Sequence, residues 1–186
     1  VAESTVIAAT SFVCGTWESA NSLLIPKEND DNGGNTGNME HVVIALPEGL
    51  LLLLGLLTSP SIKSTFVEDT VTKISLWIKM NSINATKILS CGHWQRWFLG
   101  LYLSLENRKE EGEGDKQINV AQAMVADIIS CLYSQLLLRV RNGYQQWRVT
   151  LKLLEYHPNR IPILRQLLTL SFRRLQSELQ QQLRTD

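Results

Sequence analysis

The stretch from Ile118 to Val140 constrains the fold more than any other part of this sequence. Its apolar residues recur at steps of three and four, the spacing of one face of an α-helix, and further apolar residues form a second, adjoining stripe. The stripes contain Ile118, Ala121, Val125, Ile128, Ile129, Leu132, Leu136 and Val140, and Met124, Cys131 and Leu138. A helix that is apolar around more than half of its circumference needs neighbours on two sides, so we predict stacked helical layers.

Seven other segments also have a helical pattern, whereas β-strand signals are weak throughout the sequence. They are Ser4–Ile25, a segment from near Pro47 to Leu57, a segment from Ser59-Pro60 to about Met80, Ala85–Ser90, His93–Leu105, Tyr144–Tyr156 and Ile163–Leu183. We therefore predict an all-α fold, an armadillo/HEAT-like α-solenoid segment, although no fixed sequence period marks a regular repeat.

The predicted organisation is a single helical domain over residues 1–186, a fragment of a larger protein, with two flexible loops. Residues 26–40 are rich in Asn, Asp and Gly, and residues 106–116 form a charged run with two glycines. The apolar run Leu50–Leu57 is too short to span a bilayer, which needs about 20 residues. We expect it to be buried in this domain or to contact a neighbouring part of a longer chain.

Charge is distributed unevenly along the chain. Residues 1–60 carry one Lys and seven acids, residues 61–135 carry eight charges of each sign, and residues 136–186 carry nine basic and three acidic residues. Solvated helix faces are the simplest explanation. The alternative is a peripheral module that binds anionic lipid or an acidic partner through its basic C-terminal helices. Its candidate binding residues are Arg139, Arg141, Arg148, Arg165, Arg173 and Arg174.

The three cysteines, Cys14, Cys91 and Cys131, are widely spaced and odd in number. We interpret them as reduced, buried thiols of a cytoplasmic protein, and no pair has the spacing of metal ligands. The sequence begins without a basic segment followed by an apolar run, so it gives no sign of a secretory signal. In the lipid-binding alternative, the cytoplasmic protein would be peripheral on membranes.

The sequence shows no motif that carries chemistry. His41, His93 and His157 lie in three different segments, without Cys, Ser or Asp at a recognisable motif spacing, and no glycine motif suits a phosphate. We therefore expect no catalytic residue, no metal, no cofactor and no small-molecule substrate. A hydrolase would require His93 or His157 to lie in a pocket beside a carboxylate or thiol.

The tryptophans are predicted to be structural. Trp94, Trp97 and Trp147 share helix faces with Leu and Phe and not with Arg, which favours core anchors over a base-stacking platform and argues against nucleic-acid binding. Burying such rings removes roughly 150–250 Å² each from water. Truncation to Ala should therefore cost about 3–5 kcal/mol.

Two aromatic motifs flank the long apolar helix. They are Leu89-Ser90-Cys91-Gly92-His93-Trp94-Gln95-Arg96-Trp97-Phe98-Leu99 and Gln146-Trp147-Arg148-Val149-Thr150-Leu151, the second ahead of Tyr156-His157. In order and separation they resemble the helical region that precedes the PH and BEACH domains in neurobeachin-like proteins, and the resemblance covers roughly residues 85–170. The sequence departs from that pattern in having Gly143-Tyr144-Gln145-Gln146 in place of a glycine pair before Trp147, and in lacking a BEACH domain.

The resemblance implies a function but no site residues. In that family the region belongs to an armadillo-like helical array in large cytosolic proteins, which serve as scaffolds in vesicle and membrane-protein trafficking. It implies that the chain is a non-enzymatic scaffold segment whose partners are other proteins or adjacent domains of a longer chain. An anionic membrane surface remains the alternative partner.

Overall fold

The computed structural model describes residues 43–110, 116–139 and 143–185, which form seven α-helices and one short 3₁₀ helix. The α-helices are α1 (Pro47–Leu57), α2 (Ser64–Met80), α3 (Ser82–Ser90), α4 (Trp94–Glu110), α5 (Lys116–Arg139), α6 (Trp147–Leu153) and α7 (Arg160–Thr185), and the 3₁₀ helix is Gly143–Gln146. No strand occurs in these three ranges, and the all-α prediction is confirmed. The predicted helix Ser4–Ile25 and the predicted loop over residues 26–40 lie outside them.

α5 is the helix predicted from the two apolar stripes. All seven residues from Ile128 to Ser134 are buried, so this part of α5 is covered around its whole circumference. By length and composition alone α5 could cross a membrane, but 67% of its most apolar window is buried within the protein. Such burial is what a core helix shows, and the apolar stripes are therefore packing surfaces of the fold.

Contacts within the chain define two compact units, Val1–Val125 and Ala126–Asp186, and the boundary between them lies inside α5. The first unit contains α1 to α4 and the first part of α5. The second contains the rest of α5, the 3₁₀ helix, α6 and α7. The single domain over residues 1–186 stays a prediction.

In the first unit, α1 packs against α3 and α4. Pro47 lies in the first turn of α1, as predicted, because its fixed φ and missing N–H suit that position. The buried residues of α1 are Leu50, Leu51, Leu53, Leu54 and Leu57. Gly55 allows α1 and α4 to approach closely, since a Cβ there would lie 2.7 Å from Cζ3 of Trp97. The apolar run is thus mainly core, with Leu52 and Leu56 exposed.

Two polar side chains of α3 hold the segment that leads into α1. Asn84 is fully buried, and its Oδ1 accepts a hydrogen bond of 2.8 Å from the backbone N–H of Ile44. Its Nδ2 donates to the carbonyl of Trp77 at 2.9 Å. Lys87 Nζ donates to the carbonyl of Ile44 at 2.7 Å. These bonds satisfy backbone groups that would otherwise be buried without partners.

Arg108 of α4 explains two errors in the predicted boundaries. Its buried guanidinium donates to three backbone carbonyls at the turn between α1 and α2. These belong to Ile62 (3.2 Å), Leu57 (3.4 Å) and Ser59. α2 begins after this turn, at Ser64, and not at the proline where we predicted it. Residues 106–110 are helical and not part of a loop, because α4 must continue to bring Arg108 to these carbonyls. Residues 111–115 lie outside the described ranges.

In the second unit, α5 and α6 are joined by stacked aromatic rings. The centroids of Tyr133 and Trp147 are 4.0 Å apart, with 15° between the ring planes. Tyr133 is fully buried, and its hydroxyl forms a hydrogen bond with that of Thr150. Gly143 is the first residue of the 3₁₀ helix. A Cβ added at this position would collide with the carbonyl oxygen of Leu136. This position therefore requires glycine for close approach.

Candidate interaction surface

The candidate site lies on α7. One face of this helix is buried, and it packs within the second unit. Ile163 and Leu167 are buried on that face, and Ser171 is buried one turn further along. The Ser171 hydroxyl donates to the carbonyl of Leu167 at 2.7 Å, so its burial leaves no unpaired donor. α7 begins at Arg160, earlier than the predicted Ile163, because Pro162 is tolerated in the first turn of a helix.

Arg174 continues this buried face with charged contacts to Asp127 of α5 and to Glu178 of α7 itself. Its Nη1 lies 3.2 Å from Oδ1 of Asp127, and its Nε lies 3.4 Å from Oε1 of Glu178. Glu178 also accepts hydrogen bonds from Ser134 Oγ at 2.9 Å and from Gln135 Nε2 at 3.3 Å. Arg174, one of the predicted binding residues, thus holds α7 on α5 and is half-buried there.

The opposite side of α7 carries large apolar residues that nothing covers in the described structure. This outer face of α7 consists of Ile161, Leu168, Phe172, Leu179 and Leu183, with exposed fractions of 62, 37, 60, 43 and 79%. At about 100° per residue, the outer face lies roughly 150° around the helix from Ile163 and Leu167. α7 is therefore apolar around more than half of its circumference, and part of this apolar surface is exposed.

Two of the predicted arginines line an open depression beside the outer face. This arginine groove has a volume of about 580 Å³ and is lined by Ile161, Pro162, Arg165, Gln166, Thr169, Leu170 and Arg173. Arg165 and Arg173 are both exposed. They lie two helical turns apart on one side of α7, so both guanidinium groups flank the same strip of surface.

Arg148 lies in a second open depression, on α6. It has a volume of about 680 Å³ and is lined by Arg148, Val149, Leu151, Lys152 and Glu155. Arg139 is the exposed last residue of α5, and Arg141 lies outside the described residues. The structure thus brings Arg165 and Arg173 into one groove and places Arg148 in another, while Arg174 belongs to the packing of α7.

The exposed surface of the second unit is strongly basic. Among its described residues, eight are Lys or Arg and three are acids, namely Asp127, Glu155 and Glu178. Arg174 contacts two of these acids, Asp127 and Glu178. Among the described residues of the second unit, Glu155 is therefore the one acid that Arg174 does not contact. Within residues 43–110, 116–139 and 143–185, Arg165 and Arg173 form no ion pair. The field around the arginine groove favours an anionic ligand.

The three tryptophans predicted to be structural differ in burial. Trp94 is 2% exposed and its ring meets that of Phe98 edge-on, with centroids 6.4 Å apart. Trp97 is half-buried and covers Gly55, and Trp147 is half-buried and stacks on Tyr133. Because less of its ring is buried, we expect truncation of Trp97 to cost less than truncation of Trp94.

The histidines do not form the arrangement that a hydrolase requires. His93 is exposed before α4, with a φ of 65°, and Nδ1 of His157 accepts a hydrogen bond of 3.2 Å from the backbone N–H of Asn159. In the described part of the chain neither has a carboxylate or thiol partner. The same residues contain no group of three His, Cys, Asp or Glu side chains that could hold a metal.

Two of the cysteines, Cys91 and Cys131, are buried free thiols, as predicted, and Cys14 lies outside the described ranges. Burial raises the pKa of the Cys91 thiol, and the carboxylate of Glu48, 3.6 Å from Sγ, raises it further. A thiol with a raised pKa is a poor nucleophile near neutral pH. Cys91 is therefore suited to packing and not to chemistry.

Sequence reasoning missed the outer face of α7. The predicted helix Ile163–Leu183 contains Phe172, Leu179 and Leu183, but its apolar pattern alone does not separate them from the residues that are buried. The one signal was the width of the apolar surface, because apolar residues occupy more than half of the circumference of α7. Which part of this surface is buried depends on the contacts with α5, and periodicity does not show it.

A protein-family model matches most of the chain. Residues 28–156 match the family described as Neurobeachin/BDCP, DUF4704 alpha solenoid region. This match covers more than half of the chain and includes α1 to α6. Searches of curated proteins and of solved structures gave no significant match.

Proposed function

Because the chain belongs to the neurobeachin/BDCP alpha-solenoid family, we propose that it is a non-enzymatic protein-interaction segment of a BEACH-type scaffold in vesicle or membrane-protein trafficking. The observation that carries this proposal is a helical stack whose last helix presents apolar residues and arginines on its surface. Solenoids bind partners along such extended surfaces. The partners are other proteins or adjacent domains of a longer chain, and the expected location is the cytoplasm.

Competition in cells tests this proposal. If the segment recruits partners for a trafficking scaffold, an excess of the free 186-residue chain should occupy those partners and slow the arrival of a membrane protein at the cell surface. The control is Leu167→Asp, which places a charge in the buried face of α7 and should unfold the second unit. Unchanged surface arrival with the wild-type chain, or an equal delay with both chains, would contradict the proposal.

The exposed arginines favour a second candidate function, the binding of an anionic membrane surface. Arg148, Arg165 and Arg173 are exposed and, among the described residues, outside ion pairs. Such binding should appear as co-sedimentation with vesicles of phosphatidylcholine and phosphatidylserine, weakened by salt and absent with phosphatidylcholine alone. Co-sedimentation that is indifferent to salt and to lipid charge would exclude this candidate.

A further inference from the structure

We propose that the outer face of α7 and the adjoining arginine groove bind an acidic amphipathic helix of a partner protein. The apolar stripe of that helix would pack on Phe172 and its neighbours, and its carboxylates would meet Arg165 and Arg173. This inference rests on the proposed function, because it assigns a surface and a chemical class of partner to the interaction segment.

The spacing of the outer face is that of a helix–helix seam. Ile161 and Leu168 are seven residues apart, as are Phe172 and Leu179, and four residues separate Leu168 from Phe172. Steps of four and seven keep successive side chains on the line along which a second helix packs. From Ile161 to Leu183 this line is about 33 Å long, which accommodates a partner helix of roughly 20 residues.

The charges beside this line select an acidic partner. Arg165 and Arg173 both lie along one side of it, in the arginine groove, whereas Asp127 and Glu178 are engaged with Arg174 on the buried face of α7. A carboxylate on the partner could form a bidentate contact with either guanidinium group. A basic partner helix would be repelled, so the arginines supply specificity as well as attraction.

A second copy of this chain fits the surface less well. Paired with itself, the outer face would bring Arg165 and Arg173 of two copies together without offering a carboxylate of its own. Like charges across an interface disfavour association. The acids that lie nearest in α7 and α5, Glu178 and Asp127, face Arg174 instead.

A membrane also fits this surface less well than a helix does. Leu168 and Leu179 are only 37 and 43% exposed, so they do not project far from the surface. Thr169, Gln176 and Gln180 border the apolar line along one edge only. Insertion at a bilayer surface needs no heptad spacing, whereas packing of a partner helix does.

A designed peptide provides the test. The probe is a fluorescent helical peptide with Leu at the seam positions and Glu beside them, and its binding to the 186-residue chain is followed by fluorescence anisotropy. The test variants are Phe172→Ser and the double variant Arg165→Gln/Arg173→Gln. Each should weaken binding by about tenfold or more. The matched control is Arg139→Gln/Arg148→Gln, which removes the same charge elsewhere on the unit and should change affinity less than about twofold.

Several results would overturn this inference. Equal losses of peptide affinity in the two arginine double variants would mean that net charge alone attracts the peptide. Equal binding of a peptide with Lys in place of Glu would show that the carboxylates are irrelevant. Binding of phosphatidylserine vesicles but not of the peptide would favour a membrane as the ligand of this surface. Dimers of the wild-type chain that dissociate in the Phe172→Ser variant would favour a second copy of the chain as the partner. All variants sit at exposed positions, and unchanged thermal unfolding would confirm that they fold.

The peptide-binding test and the cell competition test can fail independently of each other. If Phe172→Ser abolishes peptide binding but the variant chain still delays membrane-protein arrival in cells, the interaction segment acts through another surface, and the assignment to α7 is wrong. If the wild-type chain binds the peptide but has no effect in cells, the outer face binds helices and the trafficking role fails.

Discussion

Arg108 and Arg173 show how differently the two units use the same side chain. In the first unit, Arg108 is 4% exposed and its guanidinium donates to three backbone carbonyls at the turn after α1. In the second unit, Arg173 is exposed and lines an open groove. The first arginine stabilises the fold, and the second is available to a ligand.

The two phenylalanines Phe98 and Phe172 repeat this difference. Phe98 of α4 is fully buried beside Trp94, whereas Phe172 of α7 is 60% exposed. Both belong to helices with apolar stripes, so residue type and periodicity do not distinguish them. The comparison teaches that the aromatic ring of α4 belongs to the core of the first unit, whereas the ring of α7 lies on an exposed apolar face of the second unit.

The largest effect is expected for Arg108→Met. The substitution removes the guanidinium that donates to the backbone carbonyls of the turn. Because these buried carbonyls then lose a charged hydrogen-bond donor, the free energy of unfolding should fall by about 3–5 kcal/mol. Urea denaturation measures this loss. Arg173→Met is the matched control and should change stability by less than about 0.5 kcal/mol. Equal losses would break the comparison between the two units.

The packing of α1 on α4 is tested by Gly55→Ala. A Cβ at Gly55 would lie 2.7 Å from Cζ3 of Trp97, and overpacking of this kind costs about 1–3 kcal/mol. That cost exceeds the gain of up to about 1 kcal/mol that Ala brings to a helix. We therefore expect lower stability in the wild-type background and higher stability in a Trp97→Leu background, where the ring is absent. The same sign in both backgrounds would refute the close contact.

Tyr102 should make the stability of the first unit sensitive to alkaline pH. Burial, and to a lesser extent the charge of Glu106, raise the pKa of Tyr102 to about 12 from its ordinary value of 10.0. The unfolded chain therefore loses this proton first, and stability should decline as the pH rises from about 10 to about 12. Urea denaturation across this range should show a smaller decline for Tyr102→Phe. If both proteins lose stability equally, burial does not keep the hydroxyl protonated.

Local patterns in the sequence were sufficient to predict that the seven described α-helices exist, although not where each one begins and ends. Pro47 marked the start of α1, and the double stripe of Ile118–Val140 predicted a helix covered on more than one side. The start of α2 could not be predicted, because the turn before it is held by Arg108, which lies more than forty residues later in the chain. The same long-range contact made residues 106–110 helical although their charges suggested a loop.

The candidate site was predicted only in part. The excess of arginine near the C-terminus indicated a basic surface, and Arg165 and Arg173 do line a common groove. Arg174 differs although it follows Arg173 directly, because a step of one residue turns the side chain by about 100° around the helix, toward Asp127. The sequence does not say which arginine faces α5, since that depends on how α7 is packed.

Unfolding of the matched pair Phe98→Ala and Phe172→Ala tests the central claim most directly. Both substitutions remove the same ring, so any difference in the free energy of unfolding reports burial alone. We predict a loss of about 3–5 kcal/mol for Phe98→Ala and less than about 0.5 kcal/mol for Phe172→Ala. A loss at Phe172 as large as that at Phe98 would show that the outer face of α7 is buried in the folded protein, and would contradict its role as a surface for a partner.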